Sequence, residues 1–210
     1  YVWQDMPHAS AMNATEVGGE APGRALYEQA LADMLNRDYN HPSVMAVMLF
    51  NETWGITRPG NQAADGMTTQ DWQIYLYDYA KGINPNLLVE DMSASKYDHI
   101  QPTDLNTFHM YPKGYYTTKN LVNTIYFSTE PGSSHNFVEG FTQDGDPWLN
   151  SEYGGVGAHD GDWDVSWCFK YMTDIQRQYD MLNGFVYTEP YDIEYERNGI
   201  LTYDRRTKVF

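Results

Sequence analysis

A chain of 210 residues is about one to one and a half average domains long, enough to bury a core without covalent cross-links. Its 13 Lys and Arg against 29 Asp and Glu leave a formal net charge of -16, which repels phosphate backbones and sets aside nucleic acid and anionic membrane as partners. The single Cys168 forms no intrachain disulfide and fits neither a zinc ribbon nor a disulfide scaffold, and no apolar run approaches the roughly 18 residues of a membrane span. What remains distinctive is aromatic content: 18 Tyr and 6 Trp beside many carboxylates suit sugar binding, with core packing as the competing explanation.

The chain opens inside a strand-like segment, Tyr1 to Asp5, with no initiator Met and no basic-then-apolar leader, as expected of a piece of something longer. A helix is predicted over Arg24 to Arg37, where Leu26, Ala30, Met34 and Leu35 share a face. The strand Ser43 to Asn51 follows; its run Val44 to Phe50 is apolar at every position, which a strand covered on both faces requires. Next come a helix over Thr69 to Ile83, a strand at Asn86 to Asp91 and a strand at Leu105 to Tyr111. The stretch Asn120 to Asp146, rich in Ser, Gly and Thr, reads as a mobile loop or small insertion. A strand at Trp148 to Glu152, a helix over Trp163 to Asn183 stopped by Asn183-Gly184, and a strand at Gly184 to Glu189 complete the pattern.

Strands alternating with helices at roughly 35 residues per unit predict an α/β fold, a (β/α)8 barrel from which two units are absent. The segments after strands are long, and those after helices short, such as Asn84-Pro85. In a barrel the long segments build the carboxyl face, where active sites lie. Two carboxylates stand at that face: Glu52, ending the fully apolar strand, and Glu152, ending Trp148 to Glu152. An eight-stranded barrel is narrow enough for two such side chains to approach the roughly 5 to 5.5 Å used by retaining glycosidases.

The run Arg37-Asp38-Tyr39-Asn40-His41-Pro42-Ser43, the apolar strand and then Asn51-Glu52 resembles the acid/base signature of glycoside hydrolase family 2, the β-galactosidase, β-glucuronidase and β-mannosidase family. Trp148-Leu149-Asn150-Ser151-Glu152-Tyr153-Gly154 resembles that family's nucleophile strand, and Leu201-Thr202-Tyr203-Asp204-Arg205-Arg206-Thr207-Lys208 looks like the end of its barrel. The resemblance runs along nearly the whole chain, in order. It implies that residues 1–210 are part of a catalytic TIM barrel, about strands three to eight, with the first two βα units and upstream β-sandwich domains supplied by a missing N-terminal part of the same protein.

It implies as well a retaining exo-glycosidase, β-galactosidase-like, acting on a carbohydrate substrate by double displacement. Glu152 is then the nucleophile and Glu52 the acid/base, the first ionised and the second protonated before reaction. Asn51 inherits contact with the sugar 2-hydroxyl, and Tyr111 matches a Tyr that hydrogen-bonds the nucleophile. Adjacent strand residues point to opposite faces, so strand geometry must break at Asn51-Glu52 if both are to meet one sugar. His109, two residues from Tyr111, shares its face and reads equally as a substrate contact and as a satisfied structural histidine. Asp5 reads as a sugar-hydroxyl acceptor or as an exposed strand-end acid, and Trp54 as a stacking wall for the sugar or as loop packing. Many family members end the eighth strand with a Trp beneath the sugar; here the strand reads Phe185-Val186-Tyr187-Thr188-Glu189, and Tyr187 is the expected substitute.

No cofactor and no metal are expected. The histidines are too scattered for a zinc site, Glu189, Asp192, Glu194 and Glu196 lack EF-hand spacing, and Gly154-Gly155-Val156-Gly157 lacks a phosphate-loop Lys. Glu90 and Asp91 read as structural. Acidic charge and aromatics lean toward a periplasmic or secreted polysaccharide degrader without deciding it. The rival reading is a non-catalytic carbohydrate-binding or scaffold barrel, favoured by the absence of the second strand, from which the family draws further sugar contacts.

Overall fold

The computed structural model describes residues 1–7, 21–52, 66–93, 99–100, 102–154 and 165–208. The elements in chain order are β1 (Val2–Asp5), α1 (Ala21–Asp38), β2 (Val44–Met48), α2 (Thr69–Ile83), β3 (Leu88–Glu90), β4 (Asn106–Met110), α3 (Tyr115–Tyr126), β5 (Trp148–Tyr153), α4 (Val165–Gln176) and β6 (Leu182–Tyr187). Every strand ladder is parallel, and the strands form two three-stranded sheets, β1-β2-β3 and β4-β5-β6. The described residues thus make a partial α/β fold; a complete barrel is not present.

The uniform apolarity of β2 is explained by its place at the centre of the first sheet, where Ala46, Val47, Leu49 and Phe50 are all fully buried. The helices pack on one side. Trp72, Leu76 and Ala80, spaced four apart on α2, are buried, and Leu31 and Leu35 do the same on α1. The Thr68 hydroxyl accepts from the Asp71 N–H at 3.0 Å and so caps α2. Between helices and sheet, the Tyr27 ring stacks on Phe50 at 5.3 Å and meets the edge of Trp72 at 5.5 Å. The second sheet has its own core of Phe108, Met110, Val122, Trp148, Tyr153, Cys168 and Met172. Much of the aromatic content is therefore spent on packing.

Two sequence expectations are corrected. The segment Asn120 to Asp146 is neither an insertion nor wholly a loop: its first seven residues belong to α3. That helix is rich in Thr, Asn and Tyr, poor helix formers, and its stability comes from Thr118, Val122 and Ile125, which fall on one buried stripe. The irregular part is anchored as well, with Phe137 and Val138 buried and the Val138 N–H donating to the His99 carbonyl at 2.9 Å. Helix α4 ends at Gln176, and Asn183-Gly184 lies inside β6. Gly184 is paired with Leu149, and a Cβ there would stand 3.1 Å from the Leu149 side chain, so this glycine serves a close strand contact rather than a helix end.

The two sheets meet where β3 passes β4, and no backbone ladder joins these strands. Side chains do most of the joining, beside one backbone bond. The Asp104 N–H donates to the Val89 carbonyl at 2.8 Å, and the Val89 N–H returns a bond to the Asp104 carboxylate at 2.8 Å. Deeper in, the Thr107 hydroxyl donates to Glu90, the His99 Nδ1 lies 2.8 Å from Asp91, and the Thr107 N–H donates to His99 Nε2 at 2.9 Å. Gln73 of α2 donates to the same Asp91 at 3.0 Å. The structural role expected of Glu90 and Asp91 is thus given concrete partners.

Burial pushes the Glu90 carboxyl up to about 8, against the opposing pull of His99 and the Thr107 hydroxyl. The folded state then keeps the Glu90 proton well above the pH at which the unfolded chain releases it, so this group's contribution to stability falls as pH rises from about 4.5 to about 8. Glu90→Gln keeps the shape and has no proton to lose. The difference in melting temperature between variant and parent is expected to move in the variant's favour across that window; equal pH slopes would refute the assignment.

Candidate active site

The site begins where β2 ends. Beyond Met48 the chain stays beside β3: the Leu49 N–H donates to the Glu90 carbonyl at 2.9 Å, the Ser93 N–H to Phe50 at 2.7 Å, and the Glu52 N–H to the Ser93 carbonyl at 3.1 Å. Asn51 faces Ser93 in an isolated parallel bridge. At Glu52 the backbone turns into the left-handed region, with φ of 47°. Strand geometry therefore breaks at Asn51-Glu52, as the side-chain alternation required.

The second carboxylate is placed by a bulge. Phe108 pairs with Asn150 and His109 with Glu152, which leaves Ser151 as the extra residue on β5. Asn150 donates to Gln176 of α4 and Tyr153 bonds Thr173 of the same helix, so both point outward. Ser151 and Glu152 point the other way, toward Ser93, His109 and Tyr111. Past the strand, a Cβ on Gly154 would stand 2.0 Å from the Thr188 carbonyl oxygen, so only glycine fits there.

Six groups then converge. The His109 Nδ1 is 2.6 Å from Glu52 Oε1 and 3.4 Å from Glu152 Oε2. The Tyr111 hydroxyl donates to Glu152 Oε2 at 2.7 Å. On its other side, His109 Nε2 lies 2.7 Å from the Ser93 Oγ, which donates to the Ser151 Oγ at 2.8 Å. A carboxylate oxygen of Glu52, one of Glu152 and a ring nitrogen of His109 all lie within 4.8 Å of one another. The Glu52 and Glu152 side chains keep 31% and 23% of their surface exposed, against 2% for His109. Both carboxylates are thus reachable and the imidazole is not.

Among the described residues this trio is also the one His/Cys/Asp/Glu group compact enough to gather a metal ion. The 2.6 Å contact between Nδ1 and Oε1 is a short hydrogen bond, closer than two donor atoms stand around one cation of ordinary bond length.

Burial pushes the Glu152 carboxyl above its usual range; the His109 charge and the Tyr111 hydrogen bond pull it back, while Glu52 and Glu196 add to the rise. The net direction is upward, whereas the resemblance implies a nucleophile held ionised, so the Tyr111 bond and the His109 charge work against the cost of burial. The Tyr111 hydroxyl is driven up by burial and by the Glu152 charge, and stays a donor.

The sequence-derived residues fall into place unevenly. Glu52, Glu152, Tyr111 and His109 come together. His109, read equally as a substrate contact and a satisfied structural histidine, is corrected on the first count only: it is buried, and both ring nitrogens are taken by protein groups, as the second reading has it. Tyr187 is corrected too. Its hydroxyl donates to the Asn198 carbonyl at 2.8 Å, and its ring meets Tyr153 at 5.4 Å and Phe169 of α4 at 5.1 Å, so it packs against the helix layer and offers the sugar no platform. Asp5, exposed at the end of β1, is near enough to Glu90 to raise its carboxyl. Trp54 lies outside the described residues. Ser93 and Ser151 carry no signal in the sequence because a bulge and a break in strand geometry put them there.

No family model and no curated protein matches the chain. Solved structures do. A β-glucuronidase of Faecalibacterium prausnitzii is 20% identical, with a TM-score of 0.63 over 87% of this chain and 32% of its own. An FMN-binding β-glucuronidase from F. prausnitzii L2-6 is 15% identical, with a TM-score of 0.69 over 98% of this chain and 33% of its own. A family 2 β-galacturonidase from Eisenbergiella tayi is 15% identical, with a TM-score of 0.64 over 91% and 37%. At such identities the likeness is one of fold: these six strands and four helices have the architecture of part of a glycoside hydrolase family 2 enzyme. The chain spans about a third of the length of those proteins.

Removing the Tyr111 hydroxyl takes away a bond that favours the Glu152 carboxylate. In Tyr111→Phe the Glu152 carboxyl is expected to titrate at higher pH than in the parent, read by carbon NMR of labelled glutamate. An unchanged or lower titration would show that this bond does not favour the carboxylate.

Proposed function

We propose that this chain is the carboxyl-terminal part of the catalytic barrel of a retaining exo-glycosidase, cleaving terminal β-linked sugars of the β-galactoside type. The observation that carries the reading is the spacing of Glu52 and Glu152: two half-exposed carboxylates with oxygens within 4.8 Å fit the roughly 5 to 5.5 Å of retaining glycosidases and leave no room for the water of an inverting site. The fold likeness to family 2 enzymes supports it.

In this reading Glu152 attacks the anomeric carbon while Glu52 protonates the leaving oxygen; Glu52 then takes a proton from the water that hydrolyses the glycosyl-enzyme ester. Tyr111 orients the attacking oxygen through its 2.7 Å bond. Asn51 contacts the 2-hydroxyl, and Asp5 accepts from a sugar hydroxyl. The remaining barrel strands and the β-sandwich domains belong to an upstream part of the same protein.

The test is a panel of aryl β-glycosides, galactoside, glucuronide and mannoside included, offered to the full-length protein. Turnover of at least one is expected, lost in Glu152→Ala and partly restored by azide with formation of the α-glycosyl azide, since azide enters by the face the carboxylate vacated. A silent panel, or a β-configured azide product, would overturn the assignment.

A further inference from the structure

During double displacement one negative charge changes place. As the Glu152 oxygen bonds to the anomeric carbon, the bond to the leaving oxygen breaks, its electron pair staying with that oxygen, which takes the Glu52 proton. The charge thereby passes from Glu152 to Glu52. In the second step the water oxygen bonds to the anomeric carbon, its proton goes to Glu52, and the Glu152 ester bond breaks with its electron pair returning to Glu152. A donor placed between the two carboxylates meets a charge in every resting state.

His109 Nδ1 occupies that place, 2.6 Å from Glu52 and 3.4 Å from Glu152. Its ring has little freedom to drift. Nε2 lies on the Ser93 Oγ at 2.7 Å, and Ser93 is itself held by its Oγ–H on Ser151 and by backbone bonds to Phe50 and Glu52. Because the ring is buried, its role is exercised on the carboxylates and not on the sugar.

Resting on the retaining reading above, we propose that His109 is a positioning residue whose Nδ1–H is the shared hydrogen-bond donor of the two carboxylates, serving Glu152 before glycosylation and Glu52 in the covalent intermediate. Ser93 and Ser151 form its mount. No proton passes through the imidazole.

The test exploits the two ring nitrogens separately. An Asn side chain presents an N–H near the Nδ1 position and a Gln side chain near the Nε2 position. In the full-length protein, His109→Gln is expected to slow both half-reactions by about 10- to 100-fold, the cost of one hydrogen bond to a charged group. Phenyl glycosides report glycosylation, and dinitrophenyl glycosides, with burst kinetics, report hydrolysis of the intermediate. His109→Asn is expected to recover at least tenfold of the loss in both steps. A second measurement is independent of turnover: in His109→Gln the carboxyls of both Glu52 and Glu152 are expected to titrate at higher pH than in the parent. Loss in one step only, Asn no better than Gln in a folded variant, or movement of a single carboxyl would overturn the proposal. A silent substrate panel strikes the glycosidase reading, and the carboxyl titration then decides the shared donor alone.

Discussion

The geometry of the site depends on a junction made of side chains. Glu52 belongs to the first sheet and Glu152 to the second, and the strands between them, β3 and β4, share no ladder. The separation of the two carboxylates is therefore fixed by the bonds that cross this seam: Thr107 to Glu90, His99 to Asp91, Asp104 to Val89, and Ser93 to His109. All but the Asp104 pair are deeply buried, where an unmade hydrogen bond is costly, so the crossing groups hold one another in place. A backbone ladder would have fixed strand spacing alone. The side-chain seam fixes spacing and delivers His109 to the carboxylates at once.

Irregularity does the aiming. A regular β5 would send Ser151 and Glu152 to opposite faces; the extra residue opposite β4 turns both inward. The break at Glu52 does the same for the other carboxylate. Glycine at 154 lets the β6 end lie against the β5 end, its position facing the Thr188 carbonyl. Regular strands supply the frame, and the two candidate carboxylates stand at departures from it.

How much of this could be read from the sequence follows from the same division. The apolar run Val44 to Phe50 is legible as a strand covered on both faces, and the carboxylates ending that strand and Trp148 to Glu152 are legible as a candidate site. Helix α3 was hidden because Thr, Asn and Tyr are weak helix formers and its buried stripe has only three members. Asn183-Gly184 misled because glycine before a strand contact and glycine after a helix look alike in one dimension. Tyr187 misled for a similar reason: residue type says that a ring is present, while strand parity, shifted by the β5 bulge, decides which layer it enters. His109 was placed on the correct face by its two-residue spacing from Tyr111, but its burial depends on Ser93, a residue from another strand end.

The left-handed backbone at Glu52 has a bearing on how such a chain evolves or is engineered. For a non-glycine residue that conformation costs about 1 to 2 kcal/mol, and glycine adopts it freely. Selection for heat resistance alone would therefore reward glycine or asparagine at this position and discard the carboxylate. On the proposed reading, Glu at this position is a trade in which folding stability is yielded to chemistry, and a stabilisation campaign guided only by melting temperature would erase the proposed acid/base.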